Sequence, residues 1–103
     1  MIPVTLTQTG TGSSRAYQSD LWPTPFNLGF GCVITSGAAT YSVEHTFDNI
    51  QDPNIELTWF PHPTVAGLEA NADGNYAFPV TAIRLTVSAG SGTVALTLVQ
   101  AGD

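Results

Sequence analysis

The sequence predicts an all-β fold, a single small antiparallel β-sandwich that spans residues 1–103. Two features predict this class. Apolar residues recur with a period of two, and Gly, Pro, Asn or Asp interrupts the chain at intervals of roughly eight to twelve residues. A helical period is almost absent. We therefore expect about five to eight short strands in two packed sheets, in a jelly-roll or immunoglobulin-like arrangement.

The clearest strands are predicted to form two hairpins. Asn27–Thr35 and Thr40–Phe47 alternate apolar and polar residues and are joined by Ser36–Ala39. Residues 83–98 repeat this pattern on both sides of the turn Ala89–Gly92. Each hairpin is expected to have one buried and one solvated face, which is the pattern of an antiparallel sheet on a core.

The remaining segments alternate less clearly or contain more turn residues. They are predicted to be a first strand (Ile2–Thr9), a turn (Gly10–Ser14), an extended connection or interrupted edge strand (residues 15–26), a short strand (Ile55–Phe60) and a loop (residues 64–75). Within that loop, Asp73-Gly74-Asn75 is interpreted as a tight turn, because these three residue types favour turns.

The apolar content is sufficient for a hydrophobic core without a disulfide or other covalent cross-link. The chain is 43% hydrophobic and has ten aromatic residues and ten glycines. Cys32 is the only cysteine, so an intrachain disulfide is excluded. Because Cys32 shares its strand parity with Leu28, Phe30 and Ile34, we expect a buried small hydrophobe and no nucleophile.

The charge content argues against several classes of partner. There are two arginines, Arg15 and Arg84, no lysine and eight carboxylates, which gives a net charge of −6. Nucleic acid and anionic membranes are therefore not expected as partners, since both require clustered cations. The start of the chain lacks the basic and apolar regions of a signal peptide, so we expect synthesis in the cytoplasm without general secretory export.

No residue pattern predicts a catalytic, cofactor or metal site, and we expect a protein that is not an enzyme. His45 shares parity with Tyr41 and Phe47, so it is interpreted as a hydrogen-bonded histidine on an apolar face. His62, between Pro61 and Pro63, is interpreted as part of a rigid loop tip. Arg84 is expected to pair with a carboxylate from a neighbouring strand or a partner subunit, although a solvated strand charge is an equal alternative.

Several aromatic residues lie close to Pro or Gly, among them Trp22, Trp59, Phe60, Tyr76 and Phe78. They could form a platform on which sugar rings stack, as in carbohydrate-binding modules, or they could fill the core or a subunit contact. The second interpretation is favoured. The residues predicted for an interface are Trp22, Trp59, Phe60, His62 and Arg84.

Four segments carry a resemblance to a known family. They are Tyr41–Asp48 (YSVEHTFD), Thr58–His62 (TWFPH), Ala72–Val80 (ADGNYAFPV) and Ala82–Leu85 (AIRL). Together they resemble a family of small proteins of tailed bacteriophages, and the likeness covers most of residues 27–100. The resemblance implies a virion component of β-sandwich type with a head decoration, cement or other minor capsid role.

This resemblance defines the expected partners and location. The major capsid protein is the expected partner, in a particle assembled in the host cytoplasm. A homo-oligomer, either a dimer or a trimer, is also expected, with contacts through the N-terminal strand or the regions of Trp22 and Trp59. The alternatives are a tail-associated or carbohydrate-binding β-sandwich module and, as the weakest, a small hydrolase.

Overall fold

Alternating residues form the strands of the sandwich, as predicted. The structure is a computed structural model that describes residues 3–19, 21 and 27–100. Its strands are β1 (Val4–Thr9), β2 (Gly12–Ser13), β3 (Tyr17–Gln18), β4 (Leu28–Ser36), β5 (Ala39–Thr46), β6 (Phe60–Pro61), β7 (Ala72–Tyr76), β8 (Ala82–Gly90) and β9 (Thr93–Gln100). The predicted all-β class is confirmed. The strand number exceeds the expectation because three of these elements contain only two residues.

The strands form two antiparallel sheets. The first has the order β1-β9-β4-β7, and the second has the order β2-β8-β5-β6, with β3 also paired to β8. The core lies between them and includes Leu6, Leu28, Tyr41, Leu85 and Leu98, each at most 1% exposed. Within the described residues, no helix is long and apolar enough to cross a membrane.

Both predicted hairpins are wrong. β4 pairs with β9 and β5 pairs with β8, so each connection crosses from one sheet to the other. The two crossings contact each other, because the Gly92 amide donates to the Ala38 carbonyl over 2.9 Å. A side chain at Gly92 would place its Cβ 2.6 Å from the Ser36 carbonyl oxygen. Glycine is required at this position because the backbone of the other crossing passes close to it. The predicted hairpin turn is not the reason.

The predicted turn at Asp73-Gly74-Asn75 is also wrong, because these residues lie in β7, opposite β4. Gly74 faces the core side of this strand. A Cβ at Gly74 would be 3.0 Å from Cζ of Phe30 and 3.3 Å from Cε1 of His62. The glycine therefore leaves space for two rings within a regular strand, which is a tertiary reason that the local sequence does not reveal.

Two further boundaries differ from the sequence prediction. Of the predicted strand Ile55–Phe60, only Phe60 is in a strand, and the turn predicted at Gly10–Ser14 contains β2. β2 and β3 both pair with β8, so the chain before β4 supplies a short interrupted edge. Residues 22–26, which include both prolines of the predicted connection, lie outside the described residues.

Candidate functional site

A buried histidine lies at the end of the sandwich opposite the two crossings. His45 is near the C-terminal end of β5, and its inward side chain is 5% exposed. Its Nδ1 atom is 2.9 Å from the Tyr76 hydroxyl oxygen, with which it shares a hydrogen bond. The predicted hydrogen-bonded histidine on an apolar face is thus confirmed.

Three partly exposed phenylalanines surround this histidine, and we call Phe47, Phe60 and Phe78 the phenylalanine patch. Their exposed fractions are 53%, 45% and 39%. Their ring centroids lie 5.4, 6.0 and 5.5 Å from that of His45. The patch is therefore an aromatic surface held by a buried imidazole, and it is open to solvent.

The patch rings do not form a flat platform. The Phe47 ring is inclined by 55° to that of Phe60 and by 33° to that of Phe78. A sugar-stacking platform presents its rings in one plane. The patch geometry therefore does not match that of a flat stacking surface.

His62 is buried, and its interpretation as a loop tip is wrong. Its side chain is 5% exposed and packs edge-on against Phe30 and Tyr76, with centroid distances of 5.0 and 4.9 Å. Nε2 is 2.9 Å from the Asn75 carbonyl oxygen, and Nδ1 accepts from the amide of Thr64 over 3.1 Å. The side chain fastens the turn after β6 to β7 and offers little surface to a partner.

Burial shifts the pKa values of both His45 and its hydrogen-bond partner Tyr76. Burial, and then the nearby His62, lowers the pKa of His45, so its imidazole is held neutral. Burial also raises the pKa of the Tyr76 phenol, which keeps its proton. Among the described residues, no three His, Cys, Asp or Glu side chains converge on a point where they could hold a metal ion.

Cys32 occupies the core, as predicted. It is 1% exposed, and burial raises the pKa of its thiol to about 12. A thiolate is therefore strongly disfavoured at neutral pH, and the thiol behaves as a small apolar side chain.

The outer face of the second sheet holds the ion pair predicted for Arg84. Its Nε donates to Oε1 of Glu44 on neighbouring β5 over 2.8 Å, and its guanidinium carbon lies 4.3 Å from the Trp59 ring centroid. Thr86 also donates to Glu44 over 2.7 Å. The neighbouring-strand alternative for Arg84 is confirmed, and Trp59 contributes by covering the guanidinium.

The structure brings together only part of the predicted interface set. Trp59 and Arg84 are in contact, Phe60 belongs to the patch, and Trp22 lies outside the described residues. Phe47 and Phe78 were missing from the predicted set. Phe47 continues the apolar parity of β5 and was assigned to its buried face, although it follows the last residue of that strand.

No known protein family, no curated protein and no solved structure matches the chain.

Proposed function

We propose that this chain is a structural protein of a tailed-phage virion, a head decoration or cement protein that binds the major capsid protein. The phenylalanine patch is the observation that carries this proposal. Three half-exposed aromatic rings pack side by side at one end of the sandwich. An exposed apolar patch of this kind is often a contact surface.

The rest of the described surface supports a binding role over a catalytic one. Pairs of threonine hydroxyls lie on the outer face of the first sheet, as between Thr5 and Thr97 at 3.2 Å and between Thr9 and Thr93 at 2.9 Å. The histidines are committed to internal contacts. The resemblance of four segments to a phage family points to the same role, and we propose that copies associate as a dimer or trimer.

Quantitative mass spectrometry of purified particles tests this function. The particles should come from the phage that encodes the chain, and the major shell protein provides the internal standard. A copy number equal to that of the shell protein, or to a simple fraction of it, supports decoration of the head. A few copies would move the chain to the tail or a vertex, and its absence from particles would overturn a virion role.

A second candidate function, recognition of a neutral saccharide, rests on a cleft beside Phe47. The cleft encloses about 270 Å³, and its lining residues are Gln18, Ser19, Leu21, Phe47, Asn49, Ile50 and Thr81. None of these side chains is charged, and amides beside an apolar wall are suited to sugar hydroxyls and ring faces. A glycan array without a hit, at micromolar protein, would reject this candidate.

A further inference from the structure

The loop that connects Phe47 to the strand containing Phe60 is acidic. Residues 48–58, the acidic loop, contain Asp48, Asp52 and Glu56 and no Arg, Lys or His. The loop leaves the patch after Phe47 and returns to it at Phe60. Its ends are tied together, because Asp48 Oδ2 accepts from the Thr58 amide over 2.7 Å.

The positive charges of the chain do not offset this loop. Arg84 is already paired with Glu44 at 2.8 Å. The other arginine, Arg15, lies in the separate segment between β2 and β3. A second copy would bring another net charge of −6 and only two more arginines to the contact. Repulsion between like charges therefore makes a second copy a poor occupant of this end of the sandwich.

The phenylalanine patch alone is smaller than a stable protein interface. Scaled to a phenylalanine side chain, the exposed fractions amount to about 300 Å² of aromatic surface. A stable protein interface buries about 800 Å² on each partner. The adjoining loop can supply the missing area, and it also exposes Ile55, at 42%.

We propose that the phenylalanine patch inserts into an apolar pocket of the shell protein and that Lys or Arg side chains around this pocket face the acidic loop. This inference rests on the proposed virion function and adds the chemistry of the partner. The aromatic rings supply the affinity, while the carboxylates speed association and fix orientation. Copies of the chain would associate through other surfaces.

The test measures binding of the purified chain to particles of the encoding phage that lack it, by cosedimentation over a protein titration. Phe60→Ser and Phe78→Ser remove one ring each, and a double variant, Asp52→Asn with Glu56→Gln, removes two loop charges. Matched controls are Val33→Thr, an exposed apolar residue on the first sheet, and Glu69→Gln. Glu69 lies beside Ala39, at the opposite end of β5 from the patch.

Each ring variant should raise the Kd by about tenfold or more, since aromatic anchors dominate interfaces. The charge variant should bind more weakly and lose most of the salt sensitivity of the wild type, while both controls bind as the wild type does. Thermal unfolding of each variant shows whether that variant folds. If one of the two ring variants does not fold, the other still tests the proposed contact.

Failure of the inference and failure of the proposed function give different results. If the wild-type chain does not bind the particles at all, the virion function is overturned. If it binds and the ring or charge variants bind equally well, only the proposed contact is overturned. Sedimentation of the free chain supplies the remaining outcome. A wild-type oligomer that Phe60→Ser converts to a monomer would assign the patch to a second copy and overturn the inference.

Discussion

At the level of single residues, both histidines are buried and hydrogen-bonded, but only one of the two positions could be predicted from the sequence. His45 lies on the inward face of a strand that the sequence already marks, so its parity with Tyr41 was enough to place it. His62 follows a proline and precedes another, which locally suggests an exposed turn. Its burial depends on β7 and Phe30, which are distant in sequence, so no local pattern could reveal it.

Replacing His62 by Phe should lower the free energy of unfolding by about 2–3 kcal/mol. The phenyl ring preserves the packing but leaves the amides of Thr64 and Val65 and the carbonyl of Asn75 without their side-chain partner. Urea unfolding monitored by tryptophan fluorescence measures the change. Thr64→Val removes only the long contact of the Thr64 hydroxyl with His62 Nδ1, at 3.3 Å, and should cost about 0.5 kcal/mol or less. A His62→Phe protein as stable as the wild type would show that the His62 hydrogen bonds contribute nothing.

Stability should fall between pH 7 and pH 5 in part because of His45. Its folded-state pKa is lowered by burial and by His62, whereas a histidine in the unfolded chain has a pKa of about 6.5. Below that pH the unfolded state binds a proton that the folded state resists, so acidification favours unfolding. Urea midpoints at the two pH values measure this loss. It should be smaller in His45→Gln, and an identical loss in both proteins would exclude His45 as a cause.

At the level of elements, the cross-strand cluster of Arg84, Glu44 and Trp59 should contribute measurable stability. Arg84→Ala is expected to cost about 1 kcal/mol, since it removes a partly buried ion pair and a cation–π contact. Arg15→Ala is a matched control, because it removes the other cation of the chain from an exposed site. Urea unfolding of both variants measures the change in the free energy of unfolding. If Arg84→Ala leaves this free energy unchanged, the cluster contributes no stability and Arg84 behaves as a solvated charge.

Gly31 and Gly92 are glycines for different reasons, and substitution by alanine should have opposite effects on stability at the two positions. Gly31 lies in β4, where an added Cβ would have no other atom within 4 Å, so Gly31→Ala should stabilise the fold by about 0.5–1 kcal/mol. Gly92→Ala should destabilise it by about 2 kcal/mol or more, because its Cβ would meet backbone atoms of the crossing chain. Thermal unfolding measures the midpoint temperature of each variant. Shifts of the same sign in the two variants would contradict this prediction.

At the level of the whole molecule, the class of fold followed from local alternation, but the pairing of strands did not. The pattern of apolar residues on either side of Ser36–Ala39 is the same whether the two strands pair with each other or enter different sheets. The observed pairing involves contacts between segments that are distant in sequence, such as the hydrogen bond from Gly92 to Ala38. The phenylalanine patch escaped prediction for a related reason, because three separate segments meet only after the sheets have closed.

The central position of β8 can be tested through Arg84, which is the third of the nine residues of that strand. β8 pairs with β5 on one side and with β2 and β3 on the other, so cleavage after Arg84 requires the second sheet to open. Arg15, in contrast, is exposed between two short strands. In an Arg15→Gln variant, Arg84 is the only remaining site for trypsin.

Trypsin should therefore cut this variant only when the whole domain unfolds. At a typical domain stability, cleavage in native buffer is expected to be about a thousandfold slower than in unfolding urea. Mass spectrometry of the fragments, residues 1–84 and 85–103, measures both rates, and a small chromogenic substrate corrects for the activity of trypsin in urea. Comparable rates in the two conditions would mean that β8 opens locally. The sheet would then lack the cooperative centre that its two-sided pairing implies, because a central strand should exchange and unfold with the domain as a unit.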